Sequence, residues 1–218
     1  MKSLITVSFL GLFALASCGP KIIQSPISFD QQRKELSLEY MKSHYGMEQS
    51  EPTIVPRMVV VHWTVIPSYQ KTFEVFDPTL LPSHRTAIAG ASPLNVSSQY
   101  VIDRNGSIHK LLPDTTMARH VIGLNHCAIG IENIGGPKQP LTKAQLKANT
   151  KLIKQLKKKY PIDYVIGHYE YTLFESTDLW KEIDQGYRTQ KSDPGEQFMK
   201  DLRSNLKGLD LKPLPGKQ

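Results

Sequence analysis

The sequence has 218 residues, of which 39% are apolar and 22% are charged, so it suits one domain with a buried core and excludes a disordered or fibrous chain. Its formal net charge of +7 favours anionic surroundings such as lipid headgroups or wall polymers. The chain has neither zinc-finger spacing nor an aromatic-rich basic motif, which argues against nucleic acid as a partner.

Residues 1–17 have the layout of an export signal. Lys2 gives a positive start, and residues 4–16 form an apolar run too short to span a membrane comfortably. The small residues before Cys18 resemble the lipobox of bacterial lipoproteins, in which the cysteine becomes the lipidated first residue. We expect export and a lipid anchor on Cys18. The alternative is an ordinary signal peptide with an incidental cysteine.

The residue after this cysteine bears on the destination of the protein. Gly19 stands where an aspartate would suggest retention in the inner membrane. In a Gram-negative host we therefore expect an outer-membrane anchor, with the protein facing the periplasm. The only other cysteine, Cys127, then has no partner, so a disulfide within one chain is excluded.

Residues 18–56 are expected to hold the lipidated N-terminus, a tether and one helix that precedes the main domain. Residues 21–28 have the character of a short tether. Asp30 can cap a helix over residues 31–45, which Gly46 would end. Residues 47–56 contain two prolines and are typical of a linker. We expect the main domain over residues 57–206 and a loose tail over 207–218.

Five segments of the main domain are predicted to be strands, and two of them form a hairpin. The β-branched run at residues 58–61 is typical of a strand buried on both faces. Residues 100–103 and 108–112 flank Asn105-Gly106, which is a strong hairpin signal. Residues 128–134 and 164–166 are the other strands.

Helices are expected between and after these strands. Thr142 and Gln145 form a capping box for a helix that Pro161 would end, and a final helix covers residues 195–206. The first of these carries a row of lysines, which is either a solvated face or a surface that docks to anionic wall or lipid. Strands that alternate with helices indicate an α/β layer fold.

Polar residues that could carry chemistry stand at the ends of three predicted strands and in one later turn. His62, Glu132 and His168 lie at the strand ends, and Lys191 and Asp193 lie in the turn. Two histidines and an aspartate would give a catalytic zinc three ligands and leave a fourth position for water. The same set also suits non-haem iron.

The two remaining residues have the chemistry that such a site needs. A carboxylate off the metal, such as Glu132, can move protons, and a cation such as Lys191 can stabilise an oxyanion. Four of the other histidines are expected to be structural, namely His44, His84, His109 and His126. His120 is not one of them.

Five short motifs follow one another in the order that one protein family shows. They are Val60-Val61-His62-Trp63-Thr64, Tyr100-Val101-Ile102-Asp103-Arg104-Asn105-Gly106, Ile129-Gly130-Ile131-Glu132, Ile166-Gly167-His168 and Lys191-Ser192-Asp193-Pro194-Gly195. The set resembles the N-acetylmuramoyl-L-alanine amidases of the amidase-2 type, a family that includes animal peptidoglycan recognition proteins.

The resemblance implies a fold, a metal and a reaction. It implies an α/β fold with a central mixed β-sheet flanked by helices and a zinc site in a surface groove. It implies one Zn²⁺ per chain, bound by His62, His168 and Asp193, with Glu132 and Lys191 as catalytic residues. The substrate would be peptidoglycan or a muropeptide, cut between N-acetylmuramic acid and L-alanine, with no protein partner required.

Three departures from the family pattern concern substrate preference. Arg119-His120 stands where members often have Trp-His, and His120 is a candidate for substrate contact. Gln99 replaces a usual histidine. The segment 169–190 is longer than in compact members and could be a wall or lid of the groove, or a purely structural insertion.

Three alternatives to an amidase stay open. The first is a peptidoglycan-binding protein of the same fold without activity. The second is a zinc peptidase that cuts within the stem peptide, and the third is an iron oxygenase.

Overall fold

The computed structural model describes residues 20–216, so the predicted signal segment and Cys18 lie outside the described residues. The fold is a six-stranded mixed β-sheet with helices on both faces, which confirms the predicted fold class. The strands are β1 (Ile22–Gln24), β2 (Met58–Trp63), β3 (Tyr100–Ile102), β4 (Ile108–Lys110), β5 (Ala128–Asn133) and β6 (Tyr164–Gly167).

The helices connect and cover these strands. They are α1 (Gln31–Tyr45), α2 (Tyr69–Phe76), α3 (Thr86–Ala89), α4 (Lys143–Lys159), a 3-10 helix (His168–Phe174) and α5 (Glu196–Asn205). Within the described part of the chain, none of the helices has the length and hydrophobicity that a membrane crossing requires.

The sheet has the strand order β1-β4-β3-β5-β2-β6, with β3, β5, β2 and β6 all parallel. Strand β2 lies between β5 and β6, and its first five residues are buried. Its β-branched run fits this position, because a parallel strand covered on both faces needs apolar side chains on each of them. The carboxyl ends of the parallel strands therefore meet at one edge of the sheet.

Side chains from alternate positions of the strands form two cores. Val59 and Val61 face α4 and α5 in one hydrophobic cluster. Met58 and Val60 point to the opposite face, where Tyr40 and other residues of α1 pack against them. The alternation follows from the two-residue period of a strand, so both faces of β2 are covered by helices.

The helix and hairpin ends follow the local signals in the sequence. The Asp30 side chain accepts a hydrogen bond from the Arg33 amide, and Gly46 ends α1 with a φ of 62°. Thr142 and Gln145 form the predicted capping box of α4. Strands β3 and β4 pair in antiparallel fashion across the turn that contains Gly106, with a φ of 87°. These predictions are confirmed.

The prediction of a tether over residues 21–28 is wrong for most of that segment. Residues Ile22–Gln24 form the edge strand β1, which pairs in parallel with β4. The amides of Ser25 and Ile27 continue the pairing by donating to carbonyl groups of Lys110 and Leu111, and Ile27 is buried. The segment is ordered because it satisfies the free edge of β4 and packs Ile22 against the α4 side of the sheet.

Candidate active site

A groove opens where the carboxyl ends of β2, β5 and β6 meet. It encloses a cavity of about 530 Å³, lined by both polar and apolar side chains. Strand β2 contributes His62, strand β5 contributes Glu132, and His168 follows directly after β6. The loop before α5 adds Lys191 and Asp193 to the same cavity. The structure thus brings together all five residues that the sequence motifs indicate.

Three of these side chains point their donor atoms at a common centre. The Nδ1 atoms of His62 and His168 are 2.9 Å apart, and each lies 3.1 Å from Oδ2 of Asp193. All three residues are buried. Within residues 20–216 this is the one cluster of histidine, cysteine and acidic side chains with the geometry to hold a metal ion.

The cluster fits a zinc ion in spacing and in chemistry. Ligand atoms about 2.0–2.1 Å from a tetrahedral zinc lie about 3.3 Å from one another, which is close to the separations found here. Burial lowers the pKa of His168 to about 4, so this imidazole is neutral and can act as a ligand. Burial alone would raise the pKa of Asp193, but hydrogen bonds from His168 and His62 hold it well below its ordinary value.

A glycine lets the Asp193 loop approach the end of β6. A Cβ atom on Gly167 would lie 3.0 Å from Cδ of Pro194 and 2.6 Å from the ring of Tyr169. The amide of Tyr169 donates a hydrogen bond to the carbonyl of Asp193. Because position 167 has no side chain, the backbone around Asp193 can lie directly against His168.

Glu132 stands opposite His62 in the parallel pairing of β5 with β2. Its Oε2 atom is buried, with no hydrogen-bond partner among the described residues. Burial raises the pKa of Glu132 to about 7. A carboxyl with these properties can take up and release a proton near neutral pH.

Lys191 lies two residues before Asp193 and is partly exposed at the cavity. In the part of the chain that the structure describes, its ammonium forms neither an ion pair nor a hydrogen bond. Its positive charge lowers the pKa of Glu132, although by less than burial raises it. A free cation beside the cluster can stabilise negative charge that develops on a bound group.

His120 lies behind His62, against the floor of the groove. Its Nδ1 is 3.1 Å from Nε2 of His62, and its Nε2 is 3.3 Å from the carbonyl oxygen of Ala128. The ring occupies the space left by Gly130, where a Cβ atom would be 2.8 Å from the imidazole Cγ. The side-chain oxygen of Gln99 accepts a hydrogen bond from the Gly130 amide.

The wall of the groove depends on a residue whose role the sequence alone does not show. Arg119 is buried and donates hydrogen bonds to carbonyl groups of Ile88, Ser92 and Leu94 and to the hydroxyl of Tyr187. It thereby joins the loop after α3 to the segment 169–190. An arginine that binds carbonyl groups distant in sequence leaves no local pattern, so only the structure reveals this link.

The segment 169–190 forms part of the wall. Tyr187, Thr189 and Gln190 line the cavity. Trp180 points elsewhere, stacking on Tyr171 and covering Gly123. The segment therefore contributes to the groove through its C-terminal half, while its first half packs on the core.

Arg85 also lines the cavity, and the sequence gives no reason to single it out. Burial lowers the pKa of its guanidinium, which lies within electrostatic range of Glu132.

The four histidines expected to be structural lie outside the cluster of His62, His168 and Asp193. His44 contacts buried Glu182, His109 stacks on Tyr69, His126 packs on Tyr45, and exposed His84 lies at the cavity lining.

Comparison with known proteins gives one family and a set of related folds. A family model described as N-acetylmuramoyl-L-alanine amidase matches residues 51–196, which is well over half of the chain. No curated protein matches the sequence significantly.

Three solved structures illustrate the shared fold. The N-acetylmuramoyl-L-alanine amidase LysC from Clostridium intestinale is 17% identical with a TM-score of 0.54, over 88% of this chain and 99% of that chain. Bumblebee PGRP-SA is 19% identical with a TM-score of 0.53, over 90% and 99%. The Ph2119 endolysin from a Thermus scotoductus bacteriophage is 19% identical with a TM-score of 0.50, over 88% and 100%.

Proposed function

We propose that this chain, which belongs to the N-acetylmuramoyl-L-alanine amidase family, is an active zinc amidase of peptidoglycan. It would hydrolyse the amide bond between N-acetylmuramic acid and L-alanine, in intact wall or in muropeptides, with one zinc ion per chain. The observation that carries the proposal is the buried cluster of His62, His168 and Asp193 beside Oε2 of Glu132, which is buried without a hydrogen-bond partner in the described residues.

The five residues of the site have separate tasks in this proposal. His62, His168 and Asp193 would hold the ion, which when bound lowers the pKa of a water molecule and polarises the scissile carbonyl. Glu132 takes a proton from water as the water oxygen bonds to the carbonyl carbon. It then passes the proton to the amide nitrogen as the carbon–nitrogen bond breaks. Lys191 stabilises the negative oxygen that forms in between.

A binding protein without activity is the alternative of the same fold. Burying a carboxyl with a raised pKa beside three converging metal donors lowers the stability of the fold. A protein that only binds muropeptides gains nothing from that arrangement, whereas a hydrolase needs it for proton transfer. Here the donors, Glu132 and Lys191 all face one cavity. The complete set favours turnover over binding.

Digestion of purified peptidoglycan tests the proposal. The zinc-loaded protein should release stem peptides that begin with L-alanine, as shown by new amino termini and by mass spectra. His62→Ala should lose zinc and activity together. Products cut within the stem peptide would indicate a peptidase, and zinc-loaded, folded protein that releases nothing would favour the binding protein. Metal analysis of protein purified without added metal would reveal an iron enzyme.

We also propose that the protein is exported and lipid-anchored through Cys18, in the outer membrane of a Gram-negative host. Three residues separate Cys18 from the first residue of β1. At about 3.5 Å per residue, they would hold the sheet within about 14 Å of the lipidated cysteine. The wild type should fractionate with membranes. Cys18→Ser should stay unprocessed by lipoprotein signal peptidase, and wild-type behaviour of this variant would contradict the anchor.

A further inference from the structure

We infer that His120 is a positioning residue, which fixes the tautomer and orientation of His62 so that Nδ1 of His62 faces the metal. The inference rests on the proposed metal site and adds to it a residue that does not touch the ion. It is carried by hydrogen-bonding geometry and by the close packing around the His120 ring.

The hydrogen bonds allow one proton arrangement when His62 acts as a ligand. Nδ1 of His62 lies in the donor cluster, so its proton must be on Nε2, which is 3.1 Å from Nδ1 of His120. Nδ1 of His120 can accept that proton's hydrogen bond only if His120 carries its own proton on Nε2. That Nε2 lies 3.3 Å from the carbonyl oxygen of Ala128, which accepts it. The backbone of β5 thus sets the tautomer of both rings.

The backbone of His120 and its ring are both held in place. Beneath the ring, Gly130 leaves a space that a Cβ atom would fill, at 2.8 Å from the imidazole Cγ. The Gly130 amide is itself bound by the side chain of Gln99. The backbone is held by Asn125, whose side-chain oxygen accepts hydrogen bonds from the amides of His120 and Val121. The ring therefore has little freedom to turn away from His62.

The same geometry argues against substrate contact as the main role of His120. Both of its ring nitrogens have protein partners, one on His62 and one on Ala128. No polar atom of the ring is left for a bound substrate. Outer partners of this kind raise the basicity of a ligand histidine and limit its motion, and their loss typically weakens metal affinity by about 10- to 100-fold.

The test compares zinc affinities of variants by competition with a chelator. His120→Phe keeps a ring but removes the acceptor, so its zinc dissociation constant should rise about 10- to 100-fold. His120→Asn places a side-chain oxygen where Nδ1 was, and should recover much of the loss. Gly130→Ala should weaken zinc binding by displacing the ring, although it changes no polar group. His109→Phe makes the same substitution away from the groove and should leave zinc affinity unchanged.

The outcomes separate the inference from the proposed function. Urea unfolding of each metal-free variant shows that the fold is retained. If His120→Phe binds zinc as tightly as the wild type, or if His120→Asn is as impaired as His120→Phe, the positioning role is wrong while the metal site stands. If the wild type itself binds no zinc, the proposed function and this inference fall together.

Discussion

At the scale of single residues, the most unusual feature is the carboxyl of Glu132. It is held at the end of β5 by the sheet, and its Oε2 atom is buried without a partner in the described residues. Removing a carboxylate from water without a full set of hydrogen bonds is unfavourable, so burial raises its pKa to about 7. A side chain kept in such a position at a cost in stability is typical of a functional site.

This cost gives a pH-dependent prediction for the metal-free protein. An unfolded glutamate has a pKa near 4.3. The free-energy cost of ionising Glu132 in the folded state therefore grows from about pH 4.5 and reaches its full value above about pH 7. Glu132→Gln lacks the ionisation and should unfold at higher urea concentration than the wild type at about pH 8, by on the order of 2–3 kcal/mol. At about pH 4 the difference should nearly vanish.

The matched control for this measurement is Glu39→Gln, on the exposed face of α1. It should show no comparable stabilisation, because its carboxyl is in water in both states. A Glu132→Gln variant that is no more stable at high pH than at low pH would contradict the burial of the charge.

Lys191 gives a second prediction at this scale, which follows from the proposed function and is tested on the zinc-loaded protein. Lys191→Met keeps the length of the side chain but removes the charge, and should lower kcat by about 10²- to 10³-fold, as the loss of an oxyanion donor does. KM should change little, because the charge acts mainly on the intermediate. Lys200→Met, at an exposed position of α5, is the control. An effect confined to KM would show that Lys191 only binds substrate.

At the scale of secondary-structure elements, two features join parts of the sheet that the sequence separates. Asp114 is buried and binds the hydroxyl groups of Tyr100 and Tyr160 and the ammonium groups of Lys110 and Lys159. It connects β3 and β4 to the end of α4. Burial alone would raise the pKa of Asp114, but these partners hold it well below its ordinary value.

Asp114→Asn should therefore destabilise the protein by about 2–3 kcal/mol at neutral pH, because the hydrogen bonds that Tyr100 and Tyr160 donate to a buried charged group are weakened. The folded pKa lies below the unfolded one, so the contribution of Asp114 is present above about pH 4 and is lost as the pH falls. Urea unfolding of metal-free wild type and variant should converge at low pH. Asp210→Asn, in an exposed position, should cost almost nothing at either pH.

The edge strand β1 gives a prediction that distinguishes a strand from a tether. Ile22 packs against the hydrophobic cluster on the α4 side, whereas Ile23 is 40% exposed on the other face. Ile22→Ser should lower the free energy of unfolding by about 1 kcal/mol, and Ile23→Ser by less, because only the first removes buried apolar area. Equal and negligible effects of both substitutions in urea unfolding would contradict the strand.

At the scale of the whole molecule, the positive charge is spread unevenly. Helix α4 has no acidic residue, and its lysines are exposed except for Lys157, which donates to a nearby carbonyl group. Lys159 alone among them pairs with an acid within the described residues, namely Asp114. The face is solvated, and with a net charge of +7 the protein should be drawn to anionic wall through its overall field.

Sedimentation with sacculi tests how this charge acts. Binding should weaken as salt rises from about 0.05 M to about 0.5 M, because screening shortens the range of the field. Reversing three exposed lysines of α4 (Lys147, Lys151 and Lys154 to Glu) should weaken binding as much as reversing Lys71, Lys181 and Lys207, which lie elsewhere. A much larger loss for the α4 set would instead indicate that α4 docks directly on the wall.

Much of the fold could be predicted from the sequence because its signals are local. The ends of α1 and α4 depend on side chains within three or four residues of the helix terminus, and the β3–β4 hairpin depends on its turn. The ordered motifs also indicated the family, which is confirmed, and pointed to the residues His62, Glu132, His168, Lys191 and Asp193.

Only the tertiary structure decided which distant groups meet. It placed residues 22–24 on the free edge of β4, His120 in the space above Gly130, and Arg119 between two walls of the groove. Each of these depends on contacts between segments far apart in the chain, where packing and hydrogen bonding override local preference. The sequence by itself determined α1, α4, the hairpin, the core strands and the chemical groups of the site, because their signals are local. Contacts between distant segments decided that residues 22–24 form a strand and how the groups of the site are arranged.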